Sequence, residues 1–230
     1  LRINNPAQEI NVVIIKNDNW NEVIKNLQPT FFRPNQLQYN YNTKTNFWAG
    51  NEYLNFDSKL IRNRSLNVLR IERKELFNLY LYPFNYNPFR DYTFNPDING
   101  QFIITTQEGN DNDTEADYAK MHFKLTNGEE FAKKDVYVYG AFNNFELNDE
   151  NKMTFDSTTN SFDSQFLLKQ GFYNYSYVIK DENGKLNANA ILGSFFQTEN
   201  EYKVLVYFRS IGSLYHKVIG VGTASFSADR

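Results

Sequence analysis

Short runs in which apolar and polar side chains alternate with a period of two recur along this whole chain, and they leave it little choice but sheet. In the first half they occupy residues 10–15, 66–73 and 75–82, with briefer runs at 92–94 and 101–104. In the second half they recur at 118–125, 136–139, 161–168, 173–180 and 202–209. Alternation puts neighbouring side chains on opposite sides of an extended backbone, so each run reads as a strand with one buried face. The aromatic content agrees: 16 Tyr and 21 Phe favour pleated surfaces. Asn99-Gly100, Asn127-Gly128 and Asn183-Gly184 offer the positive-φ pairs that tight hairpins use. Pro29, Pro34, Pro83 and Pro88 mark edges and loops. The only helical candidate is residues 20–27 behind Asp18. The expected fold is all-β, two tandem immunoglobulin-like β-sandwich domains.

The composition breaks once. Residues 107–115 carry no apolar side chain larger than a Thr methyl, and this reads as a linker or long loop over 107–117. It divides the chain into a first β-sandwich domain at 1–106 and an early-set immunoglobulin-like domain at 118–222. Residues 223–230 read as a flexible tail.

Chemistry is sparsely represented. Cysteine is absent, which excludes disulfides, thiolate zinc sites and thiol catalysis. The net charge of −3, with signs interleaved, provides no footprint for nucleic acid or anionic lipid. No apolar run approaches the ~20 residues of a membrane-spanning helix, so no direct membrane insertion is expected. The chain begins at Leu1 and reads as an excised or processed form with any signal peptide upstream. His122 lies in a strand pattern and His216 in a turn pattern, and no nucleophile-elbow, zinc-protease or phosphate-loop motif accompanies them. The acidic run 111–117 resembles a calcium loop only superficially. An EF-hand would need Gly and Glu at its sixth and twelfth places, where Ala116 and His122 stand. The reading is a non-enzyme with no cofactor and no metal. Residues 79–89 are too aromatic for an ordinary loop. Either Phe84, Tyr86 and Phe89 form an exposed docking loop for a partner, or they fill space between sandwiches. Residues 50–53 and 198–202 read either as partner contacts or as buried hydrogen-bonding corners leading into strands.

Two resemblances add to this. Residues 135–145, which contain Gly140-Ala141-Phe142-Asn143-Asn144-Phe145, and residues 168–178, which contain Gly171-Phe172-Tyr173-Asn174-Tyr175, are similar to the glycogen-binding type of early-set module. That likeness implies a sandwich over 118–208 and makes Phe145 the candidate glycan-stacking residue; the family's sugar-bonding lysine position falls on Ser176. Over a longer span, Asn17-Asp18-Asn19-Trp20-Asn21, the segments 31–41 and 49–57, Asp97-Ile98-Asn99-Gly100, residues 115–119, 169–175 and 193–202, and Val206-Tyr207-Phe208-Arg209 resemble the plug protein family of the bacterial type IX secretion system. This likeness runs from Pro6 to Gly222. It implies a periplasmic protein, peripheral to the outer membrane, that caps the outer-membrane translocon barrel. Its partner would be that barrel, and no nucleic acid or small-molecule ligand is expected. The alternative is a carbohydrate-binding module using Phe145.

Overall fold

The structure is a computed structural model describing residues 3–181 and 183–227. A single helical turn, α1 (Pro6–Glu9), leads into β1 (Ile10–Lys16), β2 (Asn19–Leu27), β3 (Phe31–Arg33) and β4 (Gln36–Gln38). Next come β5 (Leu54–Asp57), β6 (Val68–Arg73), β7 (Phe77–Leu81), β8 (Phe84–Asn85) and β9 (Phe102–Ile104). A second turn, α2 (Asn112–Glu115), precedes β10 (Tyr118–Thr126), β11 (Asp135–Tyr139) and β12 (Thr154–Asp156). β13 (Ser161–Lys169), β14 (Gly171–Lys180), β15 (Leu186–Asn187), β16 (Asn200–Phe208) and β17 (Lys217–Phe226) complete the order. The all-β expectation holds.

The division into units does not follow the expected boundary at 107–117. One compact unit takes Leu1–Ala49 together with Glu199–Arg230, and the other is Gly50–Thr198. The arrangement is nested rather than tandem, and strand pairing supplies the reason. β7, from before the acidic segment, lies parallel to β10 after it, with Met121 opposite Leu79. β5 and β9 both pair with β14. Strands 1–106 therefore have no separate sandwich to form. The acidic segment is an excursion within the inserted unit: Asp111 caps α2 by accepting from the Asp113 and Thr114 amides, and the buried Gln170 amide donates to Lys59 O and Glu108.

The terminal unit is a four-stranded sheet in the order β17-β16-β1-β2, with a β3–β4 hairpin beside it. β1 runs antiparallel to β16, from Ile10 opposite Phe208 to Lys16 opposite Tyr202. Its core is Ile10, Val12, Leu27 and Phe208, joined by Leu37, Tyr39 and Tyr41. Residues 20–27 are strand, not the expected helix. Asn17 and Asp18 both take φ of 53°, the left-handed pair of a two-residue hairpin, which folds β2 back onto β1. Asn17 also ties that turn to β16, through Asn200 at 2.9 Å and the Glu201 amide. Residues 223–226, expected to be flexible, continue β17, while 228–230 lie outside the described residues. Residues 92–94 are not strand. Of the expected Asn-Gly hairpin pairs, Asn99-Gly100 has both residues at positive φ, whereas at Asn127-Gly128 only the Asn does.

The inserted unit is a sandwich. One sheet runs β12-β13-β10-β7-β6, and the other is built around β14, which pairs with β5, β9, β11 and β15. Leu79, Met121, Phe123 and Phe162 from the first meet Phe56, Val138, Tyr175 and Tyr177 from the second. Edge-to-face packing of Phe123 on Tyr175 at 5.0 Å joins the layers. The opposite face of β14 is also buried, with Val178 packed among Tyr53, Tyr137, Tyr139 and Phe145. Both faces of this strand are dry, which explains its nearly unbroken burial. Burial pushes the Tyr173, Tyr175 and Tyr177 phenols far above their ordinary range, so they serve as neutral donors. Tyr173 donates to Lys169 O at 2.7 Å and Tyr177 to Lys124 O at 3.3 Å.

Gly171 begins β14 where three backbones converge. A Cβ there would sit 2.4 Å from Ile103 O, a backbone atom that cannot step aside without breaking the β9 pairing. Replacing Gly171 with Ala is expected to cost about 1–3 kcal/mol, as overpacking does. A lowered denaturant midpoint at unchanged slope checks this, and an unchanged midpoint refutes it.

Candidate functional site

The aromatic segment at 84–89 is sorted by its local pairing. β8 lies parallel to the end of β10, with Phe84 opposite Leu125. This turns the Phe84 ring inward, where it is 7% exposed, 5.8 Å from the Tyr177 ring. The Arg90 guanidinium covers it at 4.3 Å from the ring centre. Tyr86 packs edge-on against Phe131 at 4.8 Å and donates to Glu130 at 3.0 Å. Phe84 and Tyr86 are therefore anchors within the inserted unit: of the two readings, these rings fill space rather than form an exposed docking loop, and the space lies inside one sandwich rather than between two. Phe89 is different. The Asn87 side chain accepts from the Phe89 amide at 2.9 Å, fixing the turn, and the Phe89 side chain stands 89% exposed. One buried and one half-buried ring thus flank a turn that leaves the third ring in solvent.

Phe145 cannot stack on a sugar. It is 6% exposed, tilted against Tyr139 at 5.2 Å, and its amide donates to Gly140 O. Asn144 and Phe145 both take φ of 55°, so the chain curls back and delivers the ring to the sheet. Ser176, the position corresponding to the family's sugar-bonding lysine, is buried as well. The glycan-stacking role expected of Phe145 is overturned by this burial.

A second surface was not foreseen. Register brings Arg70, Tyr80, His122 and Gln165 into one row across β6, β7, β10 and β13. The Arg70 guanidinium lies 3.5 Å from the Tyr80 ring centre, and the Tyr80 and His122 rings stack at 4.1 Å. Tyr80 donates to Glu72 at 3.1 Å, and His122 Nε2 meets Asn78 Oδ1 at 2.9 Å. A groove of about 700 Å³ runs alongside, bordered by Arg70, His122, Lys124, Lys152, Glu150 and Asp163. Its cations are already neutralised: Arg70 pairs with Glu72, Lys124 with Asp163 at 2.8 Å, and Lys152 with Asp135 at 2.6 Å. Desolvation first, then Lys74, Arg70 and Lys120, hold the His122 pKa below its usual value, while Asp163 opposes. The arrangement is a polar face on which Arg70, Lys124 and Lys152 each have an acidic partner. Among the described residues, no group of three or more His, Asp or Glu could hold a metal ion.

No family model matches the chain, and no curated protein matches it. Among solved structures it is similar to a hypothetical protein from Parabacteroides merdae ATCC 43184, with 30% identity and a TM-score of 0.90. The likeness covers 97% of this chain and 57% of that one, so the chain spans little more than half the length of that structure.

Two outcomes are expected. Phe84→Ala should lose about 3–5 kcal/mol, as for a buried Phe, and Phe89→Ala should stay within about 0.5 kcal/mol. Equal losses by chemical denaturation would show that the two rings do not divide into anchor and presented group. With its folded pKa depressed, His122 contributes stability fully above its unfolded value near 6.5, and that part is lost as pH falls through the lower folded value. His122→Gln should therefore flatten the acid side of the stability profile. Parallel profiles for the variant and the parent would assign the loss to other groups.

Proposed function

We propose that this chain is a non-catalytic interaction module that occludes the periplasmic mouth of the outer-membrane translocon barrel of the type IX secretion system. The observation that carries the reading is where the plug-like sequence blocks fall in the fold. Asn17 and Asn200 bond each other inside the terminal unit, and the Asn200 amide also donates to Ala49 O at 3.0 Å. In the inserted unit, Thr198 donates to Gly50 O at 2.9 Å. Asp97 accepts from the Tyr53 and Asn99 amides, and Asn174 accepts from the Ile98 and Gly100 amides. Several of the resembling blocks thus fall in the buried polar framework of each unit, rather than in one sandwich or one loop. Buried polar groups of this kind tolerate few alternatives, which makes likeness there specific.

A plug works by steric occlusion, with affinity drawn from a broad surface and a few anchors. Phe89 on its braced turn and the charge-matched face around Tyr80 have the character of such anchors. The periplasm, peripheral to the outer membrane, is the compartment this reading requires.

The test is affinity capture from detergent-solubilised outer membranes of a bacterium that carries this secretion system. The baits are this chain, its Phe89→Ala variant and the complete natural protein. The expected result is recovery of the translocon barrel, reduced several-fold for the Phe89 variant, in keeping with about 1–2 kcal/mol for an interface aromatic. Failure of both unmodified baits to recover the barrel would overturn the assignment.

A further inference from the structure

The two edges of the terminal sheet are built differently. The β2 edge carries Glu22 and Lys25, and two register shifts interrupt its pairing with β1. Charges and bulges of this sort deter strand addition. At the opposite edge, β17 has one irregularity, where the ladder steps from Val206–Gly220 to Tyr207–Val218 and leaves Ile219 over. Beyond it, Gly220-Val221-Gly222-Thr223-Ala224-Ser225-Phe226 pairs regularly with β16 and contains neither charge nor proline. Val221 is 63% and Phe226 47% exposed.

Among the described residues, nothing close-packed requires the two glycines in this stretch. A Cβ on Gly222 would meet no atom within 4 Å, and one on Gly220 would make only ordinary contact with Val206 at 3.5 Å. Neither is among the residues at positive φ. Glycine inside a strand weakens it, and a common reason for one is the close approach of another backbone or side chain.

We infer that this edge pairs antiparallel with the same edge of a second copy, about a two-fold axis at Thr223. An isologous contact requires a self-complementary strand, and this register provides one. Thr223 meets Thr223, a favourable cross-strand pair. Gly222 faces Ala224, Val221 faces Ser225, and the Phe226 ring of each copy covers Gly220 of the other, the aromatic-over-glycine arrangement that rescues exposed edge glycines. No like charges meet, and Lys217 and the Ile219 irregularity stay outside the ladder. The inference is independent of the secretion reading, since it rests on the terminal unit and not on Phe89 or the Tyr80 face.

The chain has no cysteine, so single-cysteine variants give a clean readout. Sedimentation velocity over about 1–200 µM should show reversible dimers, the range suited to a small interface. Thr223→Cys should form an intermolecular disulfide on mild oxidation, faster than Leu214→Cys, which is fully exposed away from the ladder. Thr223→Lys should raise the dimerisation midpoint at least tenfold. Ser225→Glu offers a second disrupting variant should Thr223→Lys prove unfolded by circular dichroism. A monomer throughout the range overturns the inference and leaves the edge to a strand from another protein. A dimer in which Thr223→Cys links no faster than Leu214→Cys overturns it equally.

Discussion

The inserted unit depends on β14 having no wet face. One side of the strand sends Tyr173, Tyr175, Tyr177 and Ile179 into the sandwich core, and the other buries Asn174, Ser176 and Val178. A strand dry on both sides must satisfy its backbone entirely through neighbours. β14 does so by recruiting β5 and β9 from one side of the acidic excursion and β11 and β15 from the other. Two of the polar groups it buries are tied in the same way: the Asn174 Oδ1 accepts from two turn amides, and the Gly171 amide donates to Ser58 Oγ at 3.1 Å. The turns at 97–100 and the 140–145 curl are positioned because they close over this strand.

The surfaces follow from that commitment. With its phenols turned inward, β14 presents little to solvent, and exposed side chains fall to the other sheet and its connecting loops. There, alternation leaves Arg70, Tyr80, His122 and Gln165 on the outer side while Leu79 and Phe123 face in. Phe89 stands out for a related reason, because Phe84 and Tyr86 are spent as anchors.

Much of the strand content was legible because period two survives wherever one face is buried. β10, with Ala119, Met121, Phe123 and Leu125 inward, is the clearest case. β2 escaped because Asn19–Leu27 is polar at most positions and its turn, Asn17-Asp18, lacks the glycine that advertises a hairpin. The nested topology was not legible at all: nothing local to Ile10 or Phe208 records that they are partners. Phe145 misled for a similar reason, since only the positive φ at Asn144 and Phe145 directs that ring inward. The Arg70–Tyr80–His122 row depends on inter-strand register, which pattern alone leaves open.

Nesting has a consequence for how the chain emerges. β1 must wait for β16, whose partner residues lie almost two hundred positions later. A ribosome adding roughly 5–20 residues per second releases that partner about 10–40 s after β1. Throughout that interval β1 has only the β2 hairpin to pair with and its other edge stays open, whereas the inserted unit has all its strands before β16 appears. Assembly is therefore vectorial in reverse: the middle of the chain matures first, and its two ends are the last to meet.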